Sequence, residues 1–384
     1  MIAKFLHLAD LHINAQATLA GQVRVGPNGI NLRTADLLRA IGAVAAEASR
    51  DGDLFGAVIA GDLYDHDRPT PLEEEIAATI IETLSGACAG CSTKVLVIDG
   101  NHDIPRGTGP SAPTSLNWHP LAMMIHDPEV VCYYGLRIGC LPYPRIGGNA
   151  ELLRAGAVDA IAAGLRAGGA DVLVAHANTG QAVAGKQPRP LDDAVTLSHA
   201  VLAQFPCVML GHIHRPQEWG PVAYCGSPMV EDWGEANDGT VRGAALWTLE
   251  CDADLASSPP DYTVRSATLR RLSAPDRTWI DIPADQWCED SVDPSSGAVH
   301  RVKGRLRATD AAAVHAEIRS LRAKGALIQA EITIEQEDRR RSEDVARALT
   351  DDQILLGAIK LRQTDPAIVD GAMAVVQDIL GGGA

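Results

Sequence analysis

A chain of 384 residues, 46% hydrophobic and with a mean hydropathy near zero, is long enough for a large buried core and two or three domains. It holds no run of about 18 apolar residues that would span a membrane, and its opening, MIAKFLHLAD, reads as a strand rather than as a signal peptide. The net charge of −16 argues against indiscriminate polyanion binding.

That charge is uneven. The first 264 residues carry 16 Lys and Arg against 30 Asp and Glu, an excess that bound cations would offset. The eight cysteines are scattered in mostly apolar surroundings and read as reduced thiols, so the expected compartment is the cytoplasm. Cys88 and Cys91 make one C-x-x-C, but no second ligand pair matches it and it precedes a strand; it reads as incidental.

Up to about residue 230 the pattern is apolar strand, polar tip, then helix or loop. FLHLAD is followed by a helix near Arg33 to Arg50, whose Leu37, Leu38, Ile41, Val44, Ala45 and Ala48 share one face. LFGAVIAGD comes next, then TPLEEEIAATIIETLSG, a helix with a capping box from Thr70 to Glu73, Pro71 at its first position and Gly86 beyond its end. The further strands are KVLVIDGNHD, DVLVAHAN, CVMLGHIH and PVAYCGSP. Runs this apolar suit strands covered on both faces, as in α/β proteins.

DADLASSPPD (Asp252 to Asp261) reads as a Pro/Ser-rich surface segment, after which the composition changes. From about Asp276 to Asp338 the pattern is strand, helix, strand, with the helix over Asp310 to Lys324 and stopped at Gly325. EDRRRSED then reads as a charged linker. Two short amphipathic helices follow, one carrying Ile354, Leu355 and Ile359, the other Ile368, Val369, Ala372, Val376 and Ile379, the second opened by Asp365 and Pro366. The expected division is therefore 1–272, 273–340 and 341–384.

The polar tips share one chemistry. The first strand ends in Asp10 and His12, the second in Asp62, the third in Asn101, His102 and Asp103; the fourth carries His176 and the fifth His212 and His214. Residues two apart in a strand point to the same side, so Asp10 can converge with His12, and His212 with His214. Open α/β sheets bind ligands beyond the carboxyl ends of their strands. Imidazoles mixed with carboxylates and an amide suit manganese, iron, zinc or cobalt and suit calcium poorly. Seven such ligands are too many for one ion and fit two ions sharing a bridging carboxylate; two ions about 3.5–4 Å apart can generate a hydroxide and clamp both oxygens of an in-line displacement at phosphorus. His7, alternating with apolar residues, reads as a core histidine. His119 and His126 read as surface loop residues, and Asp103 as a cap on the turn after the site.

In order, DLH, GDLYD, GNHD, the His of LVAHAN and GHIH resemble the signature of calcineurin-like metallophosphoesterases over roughly the first 230 residues. Within that superfamily GDLYDHDRPTP, GNHDIP, YCGSPMVEDWGE, the small strand–helix–strand unit and the paired C-terminal helices resemble the SbcD-type nuclease subunits. The resemblance implies a mixed α/β fold, a four-layer αββα metallophosphoesterase sandwich with a small α/β capping domain and C-terminal helices. It implies one metal on Asp10, His12 and His214, the other on Asn101, His176 and His212, and Asp62 bridging them. Two divalent ions, manganese first, would be the cofactors. His102 would meet the scissile phosphate, and Asp65 would orient it, with His66 a neighbour of undecided role. The loop NAQATLAGQVRVGPNGINLR is longer than in the family.

The function so implied is a DNA exonuclease and endonuclease, partnered by an SbcC-like coiled-coil ATPase as a homodimer within a heterotetramer. Two other readings compete. A phosphoesterase for a small molecule or phosphoprotein would not need the last third of the chain, and GDLYD lacks the Arg that follows in protein phosphatases. A scaffold that has lost its metals would not keep ligands in all five motifs. One stretch bears on DNA: AVHRVKGRLRATD, as a strand, puts Val299, Arg301, Lys303, Arg305 and Arg307 on one face, a basic ridge able to follow a phosphate backbone.

Overall fold

The computed structural model describes residues 1–335 apart from 24, 27–28, 51, 53, 91, 106–108, 145–155, 184–194 and 255–259. Its elements begin with β1 (Ile2–Leu8), α1 (Leu32–Arg50), β2 (Gly56–Ala60), α2 (Pro71–Gly86), β3 (Val95–Ile98), β4 (Ala122–Ile125), β5 (Glu129–Tyr133) and β6 (Leu136–Leu141). Next come α3 (Ala157–Ala167), β7 (Val172–His176), β8 (Asn178–Thr179), β9 (Thr196–Leu197), α4 (His199–Leu202), β10 (Cys207–Gly211), β11 (Gln217–Trp219) and β12 (Val222–Tyr224). The last are α5 (Trp233–Ala236), β13 (Gly243–Asp254), β14 (Asp261–Ser273), β15 (Trp279–Pro283), β16 (Val299–Leu306), α6 (Ala308–Ala323) and β17 (Leu327–Ile334).

Alternation along the strands explains the layering. In β1, Leu6 and Leu8 enter one core while Ala3 and Phe5 enter another. Ala57, Ile59, Val95 and Val97 of β2 and β3 go with Leu6; Val58, Ala60, Leu96 and Ile98 go with Phe5. The first core is covered by Leu37, Ile41 and Val44 of α1 and by Ile76 and Ile80 of α2. The second is covered by Ile138, Val172, Val174 and Met209, which belong to other strands. Those strands turn Leu173, Ala175, Val208 and Leu210 outward, against Val158, Ala162 and Leu165 of α3 and Val201 and Leu202 of α4. Helix, sheet, sheet, helix: the expected four-layer αββα sandwich is the observed one.

The strand path runs β11-β12-β10-β7-β6-β14-β13-β1-β2-β3-β4, with β5 antiparallel to β6. A single register pair, Tyr262 with Leu136, joins β14 to β6, so the path is two sheets linked at one corner. The sequence pattern misses β4 to β6 and the β13–β14 hairpin. Only Val264 and Leu272 of β14 are buried, which leaves little apolar signal to read. Asp252 to Asp254 of DADLASSPPD end β13, and Asp261 opens β14. The capping box at α2 is present, with Thr70 N–H donating to Glu73 Oε2 at 2.6 Å and Glu73 N–H to Thr70 Oγ1 at 3.4 Å.

The chain forms two compact units, Met1–Ile280 with Ser296–Val299, and Asp281–Ser295 with His300–Ala384. In the second, β15, β16 and β17 form a sheet, and Val314, Ile318 and Leu321 of α6 pack on Val302 and Ile328. The expected linker and the helices of 341–384 lie outside the described residues. Among the described residues no helix is long and apolar enough to cross a membrane.

Candidate metal centre

Four of the five motif strands stop before their ligands, whereas β7 ends on His176. β1 ends at Leu8, β2 at Ala60, β3 at Ile98 and β10 at Gly211, and the chain then turns sharply. Asp10 (φ 54°), His12 (φ 44°), Asp62 (φ 50°) and His212 (φ 97°) all adopt left-handed backbone, a strained region for non-glycine residues. Strand alternation therefore does not bring Asp10 to His12, contrary to the expectation from spacing; the left-handed turns do. The two segments run side by side, with Leu11 and His12 N–H both donating to the Asp62 carbonyl at 2.8 and 3.1 Å. His212 and His214, expected to converge, enter different groups.

Glycine makes two of the close approaches possible. A Cβ on Gly61 would lie 2.2 Å from His176 Nδ1, and one on Gly100 would lie 2.1 Å from Asp62 Oδ1. The Gly before Asp62 and the Gly before Asn101 are thus packing requirements of the site itself.

Four donor groups result among the described residues; besides His12 with Asp65 and His102, and His214 with Glu231 and Glu235, two join the expected ligands. Asp10, His12 and His214 bring ligand atoms within 4.8 Å of one another, and so do Asp62, His176 and His212. In the first, His12 Nε2 faces His214 Nε2 at 3.0 Å. In the second, Asn101 Oδ1 lies 3.0 Å from His176 Nε2 and 2.8 Å from His212 Nδ1. Asp62 stands between the clusters, its Oδ2 3.7 Å from His12 Nε2 and 3.4 Å from His176 Nε2. The free nitrogens are defined by what holds the others. His176 Nδ1 is 2.8 Å from the Ala60 carbonyl, and His214 Nδ1 is 2.5 Å from Glu235 Oε1. All seven residues predicted as ligands are therefore gathered at one place.

His102 sits beside them, exposed, at a cleft lined by Asp65, His66, Asp67, Arg68, Asn101 and Ile104. Its Nδ1 is 3.0 Å from the Asp65 backbone carbonyl and 3.5 Å from the Asp65 carboxylate. Asp65 Oδ2 accepts instead from Asn14 Nδ2 at 2.7 Å, so the long loop after the first motif is tied to this cleft. The loop closes on itself through Asn31 Nδ2 and the Asn14 carbonyl, 2.9 Å apart. Asp103 is wholly buried and pins two motif turns together, accepting from Tyr64 N–H at 3.0 Å and Gly100 N–H at 2.8 Å. His66 reaches Glu73 at 3.2 Å.

The electrostatics favour positive charge here. Burial opposes charge on His176 and His214, yet Asp62 raises the first to about 9 and Glu235 raises the second to about 10. The Asp65 carboxylate raises His102 to about 9 against partial burial. Burial is likewise outweighed at Asp62, where His176, His12 and His102 hold the carboxyl below its usual range. Asp103 goes the other way: burial, then the charge of Asp62, push it up to about 7.

Of the remaining expectations, that for His7 holds and the others need correction. His7 is a core histidine, fully buried between the sheets. His119 is not a surface residue but 6% exposed, and His126 is half-buried, with Nδ1 3.0 Å from Asp99. In the second unit the basic face of β16 is largely neutralised. Arg301 makes two bonds to Asp281 at 2.7 and 2.8 Å, Lys303 lies 3.6 Å from Glu331, and Arg307, past the strand end, pairs with Asp310 at 2.9 Å. Arg305 makes no ion pair among the described residues. Val299 does not share that face's exposure; it and His300 are both buried. Sequence spacing misses Asn14 and Glu235, because nothing local links them to Asp65 or His214.

A search of curated proteins returned no match to this chain. The family model for calcineurin-like phosphoesterases matches residues 3–216, from the first residues of β1 to just past the GHIH turn. That is more than half of the chain and takes in all five motifs, while β11 to β14, beyond the match, complete the sheets. The members of this family are metal-dependent phosphoester hydrolases, which accords with donor clusters built from imidazoles and carboxylates. By this match the chain belongs to the calcineurin-like phosphoesterase family.

Proposed function

We propose that this phosphoesterase is a dinuclear-metal DNA nuclease, both exonuclease and endonuclease, working with an SbcC-like coiled-coil ATPase in repair, recombination or replication. The observation that carries it is the pair of donor clusters about Asp62 with His102 exposed on an open cleft beside them. One ion is assigned to Asp10, His12 and His214, the other to Asn101, His176 and His212, with Asp62 shared. The donors fit: the Nδ1 atoms of His176 and His214 are already engaged, so their Nε2 atoms turn inward, where each would give up its proton to an incoming ion. Such a donor set suits manganese first, then iron, zinc or cobalt. Ions bound there supply Lewis-acid charge at phosphoryl oxygens and a nucleophile usable near neutral pH.

The remaining work belongs to the chain. His102, held at Nδ1 by the Asp65 carbonyl, presents Nε2 to the cleft, where it steadies the phosphoryl oxygens or hands a proton to the leaving oxygen. An open cleft admits a polymer, and Arg305, with no ion pair among the described residues, offers positive charge to a backbone. The SbcD-type motifs and the second unit support DNA as that polymer. One observation favours the runner-up, a phosphoesterase for a small molecule or phosphoprotein: Arg301, Lys303 and Arg307 already have carboxylate partners.

The test is digestion of linear duplex and circular single-stranded DNA with manganese, beside a chromogenic phosphodiester and a phosphopeptide. The nuclease reading expects both DNAs to be cut and EDTA to abolish cutting. Hydrolysis of only the small substrates would replace it with the runner-up. For the partner, the full chain should co-purify with the ATPase, and a chain cut after Arg341 should not; retained binding refutes docking through the last residues.

A further inference from the structure

We infer that Glu235 is the positioning residue of His214 and that it makes the two proposed ion positions chemically unequal. This rests on the dinuclear reading above. Glu235 belongs to α5, whose cap is closed by Glu235 N–H donating to Asp232 Oδ1 at 2.9 Å. Its carboxylate is fully committed: Oε1 accepts the His214 Nδ1–H at 2.5 Å, and Oε2 accepts the Glu231 N–H at 2.8 Å. Arg242, its side chain 1% exposed, closes a ring. It donates to the His214 carbonyl, pairs with Asp238 at 2.6 Å and lies 3.7 Å from Glu235 Oε2.

The neighbouring Glu231 is not an equal alternative. Its Oε1 is held by Arg33 at 2.9 Å, and its Oε2 is 3.9 Å from His214 Nδ1. Glu235 therefore sets which His214 nitrogen keeps its proton, and Nε2 faces His12 Nε2 with its lone pair directed into the first cluster. In the other cluster one imidazole has a neutral partner instead. There His176 Nδ1 donates to a neutral carbonyl, that of Ala60. A carboxylate partner fixes the tautomer and strengthens the imidazole as a donor more than a neutral carbonyl does. The ion on Asp10, His12 and His214 thus depends on Glu235, and the ion on Asn101, His176 and His212 does not.

The experiment is manganese titration of the metal-free full chain by calorimetry, as wild type, Glu235→Gln and Glu235→Ala. The His214 ring nitrogen shifts and thermal unfolding are recorded on the same samples. Glu235→Gln should unfold as wild type does, weaken one binding event by about 10- to 100-fold and leave the other unchanged. Glu235→Ala should weaken that same event further and let the His214 tautomer mix. Equal weakening of both events in Glu235→Gln, or weakening of neither, overturns the inference. A wild-type chain that binds no pair of ions overturns the dinuclear reading instead.

Discussion

His102 Nδ1 lies 3.0 Å from the Asp65 carbonyl oxygen, closer than the 3.5 Å to the Asp65 carboxylate. The backbone carbonyl is therefore the nearer partner of the imidazole, and the carboxylate raises its pKa from farther away. Asp65→Ala should cost less turnover than His102→Ala, for which losses of about 10²- to 10⁴-fold are typical of a positioned acid–base group. Both variants should keep their metal, whereas His176→Ala should lose it. Elemental analysis beside the hydrolysis rate separates them; metal loss in His102→Ala equal to that in His176→Ala would overturn the role assignment.

Gly100 touches Asp62 so closely that an added Cβ would meet both Oδ1 at 2.1 Å and the Asp62 backbone nitrogen at 2.2 Å. Backbone cannot swing aside as a side chain can, so the turn itself must shift. Gly100→Ala should destabilise the metal-free fold by about 1–3 kcal/mol, the usual cost of overpacking. It should also lower occupancy of the ions that share Asp62. Melting curves with and without manganese would show this, and an unaltered metal-induced gain in Tm would contradict it.

His7 offers a pH test away from the metal ligands. Burial, then the charge of Arg271, lower its pKa from 6.5 to about 3, so the folded chain keeps it neutral. Between those values the unfolded chain takes up a proton that the folded chain refuses. The contribution is therefore complete above 6.5 and is lost as pH falls toward 3, by up to about 1.4 kcal/mol per unit. His7→Leu should shift stability by a constant amount above pH 7 and show a shallower acid decline. Urea midpoints of EDTA-treated protein from pH 7 to 5 decide it; parallel declines would mean that His7 does not couple to folding.

The four cations of the β16 face should not behave alike. Arg305 makes no ion pair among the described residues, while the Arg301 side chain is 13% exposed and tied twice to Asp281. If DNA lies along this face, Arg305→Ala should lower the slope of log K against log salt by about one. Arg301→Ala should instead act on stability, by about 1 kcal/mol or less, as partly exposed ion pairs do. Fluorescence anisotropy on duplex DNA at several salt concentrations tests this. A slope unchanged in Arg305→Ala would direct DNA to another surface.

Local pattern alone was enough to expose the family and most of the centre. Apolar runs such as VLVI end abruptly in GNHD, and five such endings in order are visible because a strand buried on both faces leaves only its tip for polar groups. The capping box at Thr70 and Glu73 was legible for the same reason, since its partners are three residues apart. What local pattern misjudged lies just past the strands. It placed His212 beside His214 by the two-residue period, but β10 ends at Gly211 and the left-handed turn at His212 sends the two imidazoles to different clusters. Only tertiary structure decided which groups stand behind the ligands. Glu235 meets His214 across 21 positions and Asn14 meets Asp65 across 51, and Asp281 and Glu331 neutralise Arg301 and Lys303 from the flanking strands. Such partners are chosen by the packing of separate segments, and the short-range periodicities of helix and strand carry no information about it.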